Sequence, residues 1–403
     1  MTGAMAGIKV VELAHWVAMP AAMAIMADWG AEVVKIENPQ GGDPVRGFMG
    51  MGIYPFDLSL SPPFEMDNRN KRSVVLDMRR PEAQEAVHRL VAEADVFATN
   101  LEPDTLSRFG VEYEALVAKH PRLIYASLSG YGDDGEEWER PGFDYSAHWA
   151  RSGIMGVLGE PDGPPVSPRP GFGDHSTSLA IVSAVSAALF NRERTGKGQR
   201  VRTALLHTAM WQLGIDIQAC LLAGQDVPRT TRTAVGNPLL NYYRAGDGRW
   251  LFLVMPQSVP YWSGFCKAIG RKDLEKDPSF GTTGGRWRNG AALVAILEEV
   301  FARRPRAEWG RLLDEHGCIW GLVQTPGDID TDPQVWANGF LTTADHPAQG
   351  EIKLIASPVR FSTTPASVRS TAPQLGEHTE EVLLEHGYTW EDLTRFKDAG
   401  AIL

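Results

Sequence analysis

The sequence predicts an α/β protein: a Rossmann-like, mostly parallel sheet domain completed by the C-terminus, plus a smaller α+β domain. Three observations carry that prediction. Short apolar runs alternate with segments of helical spacing through the first half, the pattern of right-handed βαβ units. From about residue 230 the pattern changes to a hairpin followed by helices. At 403 residues the chain is too long for one compact core, so two domains are expected.

The elements follow in order. Residues 7–13 read as a short buried strand. Pro20 suits the first turn of a helix over 21–29, closed by Gly30. Residues 31–37 form a second strand and 73–78 a third. Pro81 then opens a helix carrying Ala86, Val87, Leu90 and Val91 at helical spacing. Strands are expected at 95–100 and 123–129, with a helix over 111–119 between them. A long helix starts near Asp174 and ends at the turn 195–199. A strand over 200–206 and a helix over 206–222 come next. Residues 237–252 read as a hairpin turning at Gly246-Asp247-Gly248, with helices at 260–269, 290–303 and 307–316. The chain then returns to the first domain through 352–361 and a C-terminal helical segment. The expected organisation is a large domain begun by 1–205, a linker helix 206–226, a small domain 227–325, and a linker and return over 326–403.

Composition narrows the function. Thirty-nine Lys+Arg against fifty Asp+Glu give a net charge of −11, which disfavours nucleic acid and anionic membranes as partners. Three widely spaced cysteines, Cys220, Cys266 and Cys318, fit neither a zinc pattern nor a disulfide framework and suit a reducing cytoplasm. Residues 1–9 lack the layout of a signal peptide, and no apolar run is long enough to span a bilayer. The first strand leads into Ala14-His15-Trp16-Val17-Ala18 rather than G-x-G-x-x-G, and no P-loop is present, so dinucleotide and nucleotide readings fall.

The stretch with most chemistry is Pro170-Gly171-Phe172-Gly173-Asp174-His175-Ser176-Thr177-Ser178 before an apolar run. From these residues alone Asp174 reads first as a helix N-cap; the compatible second reading is a nucleophile, and helix-start N–H groups favour its ionised form in either role. Arg69, Lys71, Arg72, Arg79 and Arg80 form either a basic patch for phosphates or a solvated face. His15 reads as a ligand contact or a core histidine. Phe143, Tyr145 and Phe172, with Trp16 and Trp149, line an apolar pocket or belong to the core.

Several ordered segments resemble the family III CoA-transferases, the group that includes formyl-CoA:oxalate CoA-transferase, the carnitine CoA-transferase and α-methylacyl-CoA racemase. They are residues 7–13 with His15 and Pro20, 30–37 leading to Gly42-Asp43-Pro44, Asn70-Lys71-Arg72-Ser73, Asn100-Leu101-Glu102-Pro103, Arg194–Gln199, 321–332 and 372–379. The resemblance implies acyl-CoA:carboxylate CoA-transfer with Asp174 as the nucleophile, through an aspartyl anhydride and an aspartyl-CoA thioester. It implies CoA contacts from His15, Trp16, Val17, Ala18, Leu76, Arg79, Asn100, Leu101, Arg108 and Arg140. It also implies acyl-CoA and a carboxylic acid as substrates, with no tightly bound cofactor and no metal. Relatives form interlocked homodimers, and the linkers near 206–226 and 326–350 permit one here.

Two departures shape the substrate reading. The racemase branch carries a histidine after the glycine of Arg140-Pro141-Gly142, where this chain has Phe143, a side chain that moves no proton. Racemisation would need His148 or His175 instead, so CoA transfer is favoured and a 2-methylacyl-CoA racemase is the alternative. A non-catalytic CoA-binding protein is the alternative of another class. Residues 254–262 lack the glycine-rich loop of formyl-CoA:oxalate-type enzymes and look more like the branch acting on 2-hydroxy acids such as phenyllactate. Asn38 stands where the formyl-CoA:oxalate type has an arginine.

Overall fold

The computed structural model describes residues 3–403. The chain divides into two compact units, one of Met1–Gly156, Ser167–Gln225 and Trp336–Leu403, the other of Val157–Val166 and Asp226–Val335.

The first unit is built on six parallel strands: β1 (Lys9–Leu13), β2 (Glu32–Glu37), β3 (Lys71–Val75), β4 (Val96–Thr99), β5 (Ile124–Ser129) and β6 (Arg200–Ala204). Their order is β3-β2-β1-β4-β5-β6, so the winding reverses between β1 and β4. Strand alternation sends neighbouring residues to opposite faces. Val10, Val33, Val96 and Ile124 enter one core with Met19, Met23 and Met26 of the helix Ala18–Asp28 and Ile181 and Val185 of the helix Phe172–Thr195. Val11, Val34, Phe97 and Tyr125 enter the other with Val87, Leu90 and the C-terminal Val382, Leu383 and Phe396. The chain end therefore completes this core. It also closes the edge of β3, where Val75 N–H donates to Thr379 Oγ1 at 3.0 Å and Ser73 N–H to His378 Nδ1 at 3.3 Å.

The second unit carries an antiparallel sheet of β7 (Leu240–Arg244), β8 (Trp250–Val254) and β9 (Trp320–Val323), covered by helices that include Gly290–Phe301 and Arg306–Glu315. Its core holds Tyr243, Phe265, Phe301 and Trp309.

Local differences from the sequence reading have physical causes. β3 starts and ends earlier than the expected 73–78, because Lys71 enters the sheet as a buried ion-pair partner. The helix expected over 206–222 is two helices, Leu205–Gln212 and Gly214–Ala223, parted beside a glycine of low helix propensity. A further hairpin, β10 (Leu341–His346) with β11 (Gly350–Ile355), lies in the first unit, which the chain re-enters at Trp336. Helices at Pro62–Asn68 and Pro103–Phe109 were not expected, although each opens on proline. No helix among the described residues is long and apolar enough to cross a membrane.

Candidate active site

In an open parallel sheet, ligands sit beyond the strand C-termini where the winding reverses. Here that place lies between the loops after β1 and β4, and the Asn100 side chain ties them together. Its Oδ1 accepts from His15 N–H at 3.1 Å and its Nδ2 donates to His15 O at 2.6 Å. The next residue, Trp16, has a left-handed backbone (φ 68°), a strained state for a bulky side chain. Asp43 holds it: Oδ1 accepts from Trp16 N–H at 3.0 Å, while Oδ2 lies 2.9 Å from the buried Lys35 Nζ. The Trp16 ring meets Phe143 edge-on, with centroids 5.4 Å apart. Burial lowers the pKa of His15, so its imidazole is favoured neutral.

Asp174 enters the same crevice from the start of the helix Phe172–Thr195. The N-cap is Gly171, in the left-handed conformation (φ 71°), and Asp174 is the third helical residue. That overturns the capping reading of Asp174. Gly173 is required for another reason: a Cβ there would fall 2.2 Å from Asp144 Oδ1 and 2.3 Å from His148 Cγ. Its N–H instead donates to Asp144 Oδ1 at 3.1 Å. Asp144 opens a wide π-type turn, Asp144–Ala150, a distortion often found at functional sites.

The electrostatics reverse the sequence expectation. Burial first, and then the Asp144 carboxylate, push the Asp174 pKa up to about 7, with His175 opposing. Burial raises Asp144 to about 6. Desolvation and a like charge thus outweigh the helix N-terminus, whose effect is commonly below about 1 kcal/mol. His175 Nε2 lies 3.0 Å from Oδ1 of the buried Asp67, and its pKa is raised: burial opposes the charge, but the bond to Asp67 and three nearby carboxylates outweigh it.

One cavity of about 580 Å³ brings together His15, Trp16, Val17, Ala18, Asn100, Leu101, Arg140, Phe143, Tyr145 and Asp174. A neighbouring cleft of about 370 Å³ shares His15 and Leu101 and adds Leu76 and Arg79. Two expected residues lie elsewhere. Phe172 is 60% exposed, packs on Trp149 and does not line the cavity. The Arg108 guanidinium turns back on its own helix, to Asp104 O and Thr105 Oγ1. The expected basic patch does not form as a free surface either. Lys71 is buried against Glu12, Arg69 against Asp28, and Arg72 pairs with Glu385. Arg79 pairs with Asp77 yet keeps an exposed side chain beside the cleft. Asn38 caps its own turn, donating to Gly42 O and accepting from Gln40 N–H.

Of the histidines considered as proton carriers, His148 is fully buried and outside the cavity lining, and His175 is tied to Asp67. The sequence reading missed Phe48, Met51, Ile53 and Trp138 on the cavity wall, and Asp67 behind His175. Apolar residues strung through a glycine-rich loop were the available signal for the first three. Ser61-Pro62-Pro63, an N-cap before proline, was the signal for the helix carrying Asp67.

Comparison with known proteins agrees with this arrangement. The family model described as CoA-transferase family III matches residues 5–379. An (R)-2-hydroxy-4-methylpentanoate CoA-transferase of Clostridioides difficile is 35% identical over 396 residues, covering 98% of each chain. A cinnamoyl-CoA:phenyllactate CoA-transferase of Clostridium sporogenes is 33% identical, covering 97% of this chain and 95% of that one. The crystal structure of a CAIB/BAIF family protein from Brucella suis superposes with a TM-score of 0.85 at 33% identity, covering 96% of this chain and 100% of that one. The chain belongs to CoA-transferase family III and is an enzyme that moves CoA between acyl-CoA and carboxylate substrates.

Proposed function

We propose that Asp174 is the nucleophile of a CoA transfer onto a bulky acid of the 2-hydroxy class. The observation that carries this reading is a single cavity holding Asp174 beside the His15–Ala18 turn and Asn100. An Asp174 oxygen attacks the thioester carbon of the donor, the C–S bond breaks, and CoA leaves as thiolate. The thiolate then attacks the aspartyl carbonyl of the mixed anhydride, releasing the donor acid and leaving an aspartyl-CoA thioester. The acceptor carboxylate attacks that thioester, and the same two steps run in reverse. Splitting the exchange this way avoids a direct attack of one carboxylate on a distant thioester. His15–Ala18, Asn100 and Leu101 hold the CoA thiol arm. Leu76 and Arg79 in the adjoining cleft, with Arg140 on the wall of the first cavity, meet the rest of the CoA molecule.

Phe48, Met51, Ile53, Trp138, Phe143 and Tyr145 give the cavity an apolar wall, which suits a bulky acyl group. The two relatives named for 2-hydroxy-4-methylpentanoate and phenyllactate support the substrate class. The test is intact-protein mass after mixing with acetyl-, 4-methylpentanoyl- and cinnamoyl-CoA. A CoA-sized adduct, lost on hydroxylamine treatment and mapped to Asp174, is expected; Asp174→Ala should form none and lose turnover. No adduct with any of the three, or one surviving in Asp174→Ala, overturns the reading.

We also propose that the chain pairs with a second copy. Trp211, Ile215, Leu221 and Leu222 on the helices Leu205–Gln212 and Gly214–Ala223 are between 73% and 88% exposed, an apolar surface that fits a partner. Light scattering should give twice the 44.2 kDa chain mass, and a monomer mass would exclude it.

A further inference from the structure

Three carboxylates and one imidazole meet at the start of the helix Phe172–Thr195. Asp67 reaches it from the helix Pro62–Asn68, Asp144 from the turn Asp144–Ala150, and Asp174 and His175 from the helix itself. Consecutive residues on a helix point in different directions. His175 overcomes this by folding back over the N-cap, where a Cβ on Gly171 would lie 3.3 Å from its Cε1. Gly171 lines the same cavity as Asp174. The far side of the ring is fixed by Asp67, whose carboxylate is only 1% exposed and 3.0 Å from Nε2. A carboxylate buried that deeply is stable beside a cation and costly beside a neutral ring. Asp67 therefore favours the imidazolium.

We propose that the Asp67–His175 pair is the charge partner of Asp174, with His175 a positioning residue that keeps the nucleophile ionised. This rests on the reading of Asp174 given above. The site has two carboxylates to hold near each other, Asp144 and Asp174, and the imidazolium offsets their repulsion. The groups facing His175 are Asp67, Asp144 and Asp174, and Lys71 faces Asp67 from β3. The raised pKa of His175 agrees with a proton retained on the ring. Asp174 remains the group that bonds to substrate, and His175 acts on it only through charge.

The test is the pH profile of adduct formation in a single turnover, with the acyl-CoA that labels the wild-type enzyme. In His175→Gln the acid limb should move to higher pH, with the rate restored at the alkaline end. Each unit of movement costs about tenfold at a fixed low pH. His175→Asn, a smaller neutral replacement, should move the limb the same way, and it carries the test if His175→Gln fails to fold. A limb that stays in place, or a loss that is uniform across pH, overturns the proposal while leaving Asp174 as nucleophile. Absence of the wild-type adduct instead overturns the Asp174 reading, and this proposal falls with it.

Discussion

Two groups of buried charge in the first unit are built on opposite plans. Under the β1 end, Lys35 Nζ lies 2.8 Å from Glu12 Oε1 and 2.9 Å from Asp43 Oδ2, and Lys71 Nζ lies 2.7 Å from Glu12 Oε2. All four side chains are fully buried, and two lysines face two carboxylates. Backbone carbonyls of Ala14 and Pro20 take further lysine protons. At the start of the long helix, by contrast, Asp67, Asp144 and Asp174 share one imidazole. The first group is charge-matched, and it fixes a loop, since Asp43 also holds the left-handed Trp16. The second is mismatched, so burial and repulsion raise two carboxylates toward neutral pH. Matched buried charge orders backbone, whereas mismatched buried charge leaves groups poised to change state, which catalysis needs.

Breaking the matched group should have the larger effect. Glu12→Gln leaves Lys35 and Lys71 facing each other with one carboxylate fewer. Removing one partner of a buried pair costs about 3–5 kcal/mol. Urea unfolding should show that loss, and a change below roughly 1 kcal/mol would mean that the lysines find other partners.

In the mismatched group the sign reverses. Asp144→Asn keeps an acceptor for Gly173 N–H but removes the negative charge beside Asp174. The Asp174 pKa should then fall from about 7, moving the acid limb of turnover to lower pH, opposite to His175→Gln. Stability should respond too. A carboxylate whose folded pKa is raised to about 6 favours folding below its unfolded value, and that contribution is lost as pH rises through about 6. At pH 8 the Asn variant should therefore be more stable than wild type, by about 1–3 kcal/mol, with the gap closing toward pH 4. An unmoved limb together with lower stability at pH 8 would show that Asp144 acts only as an acceptor for Gly173.

Much of this protein was legible locally. The apolar runs, Pro81 and the glycine before Asp174 each state a backbone preference that needs no distant partner. The sheet strands, the long helix and the return of the C-terminus follow from them, as does the family resemblance that drew attention to Asp174. The charges were not legible. Lys71 and Arg69 in sequence look like phosphate ligands, but folding takes both inside to Glu12 and Asp28. Asp174 in sequence looks like a cap with a favoured negative charge, but burial, and then the carboxylate of Asp144 30 positions earlier, reverse that preference. Asp67 and His175 are 108 positions apart and meet only because two helices converge.

Periodicity, glycine and proline act over a few residues, so the succession of the sheet strands, the parallel winding and a long helix starting near Asp174 were readable without the fold. The tertiary structure decided which charges are compensated, which aromatics face the cavity and where Asp174 titrates. Those depend on the distance and burial of groups far apart in the chain, and electrostatic energy varies with both.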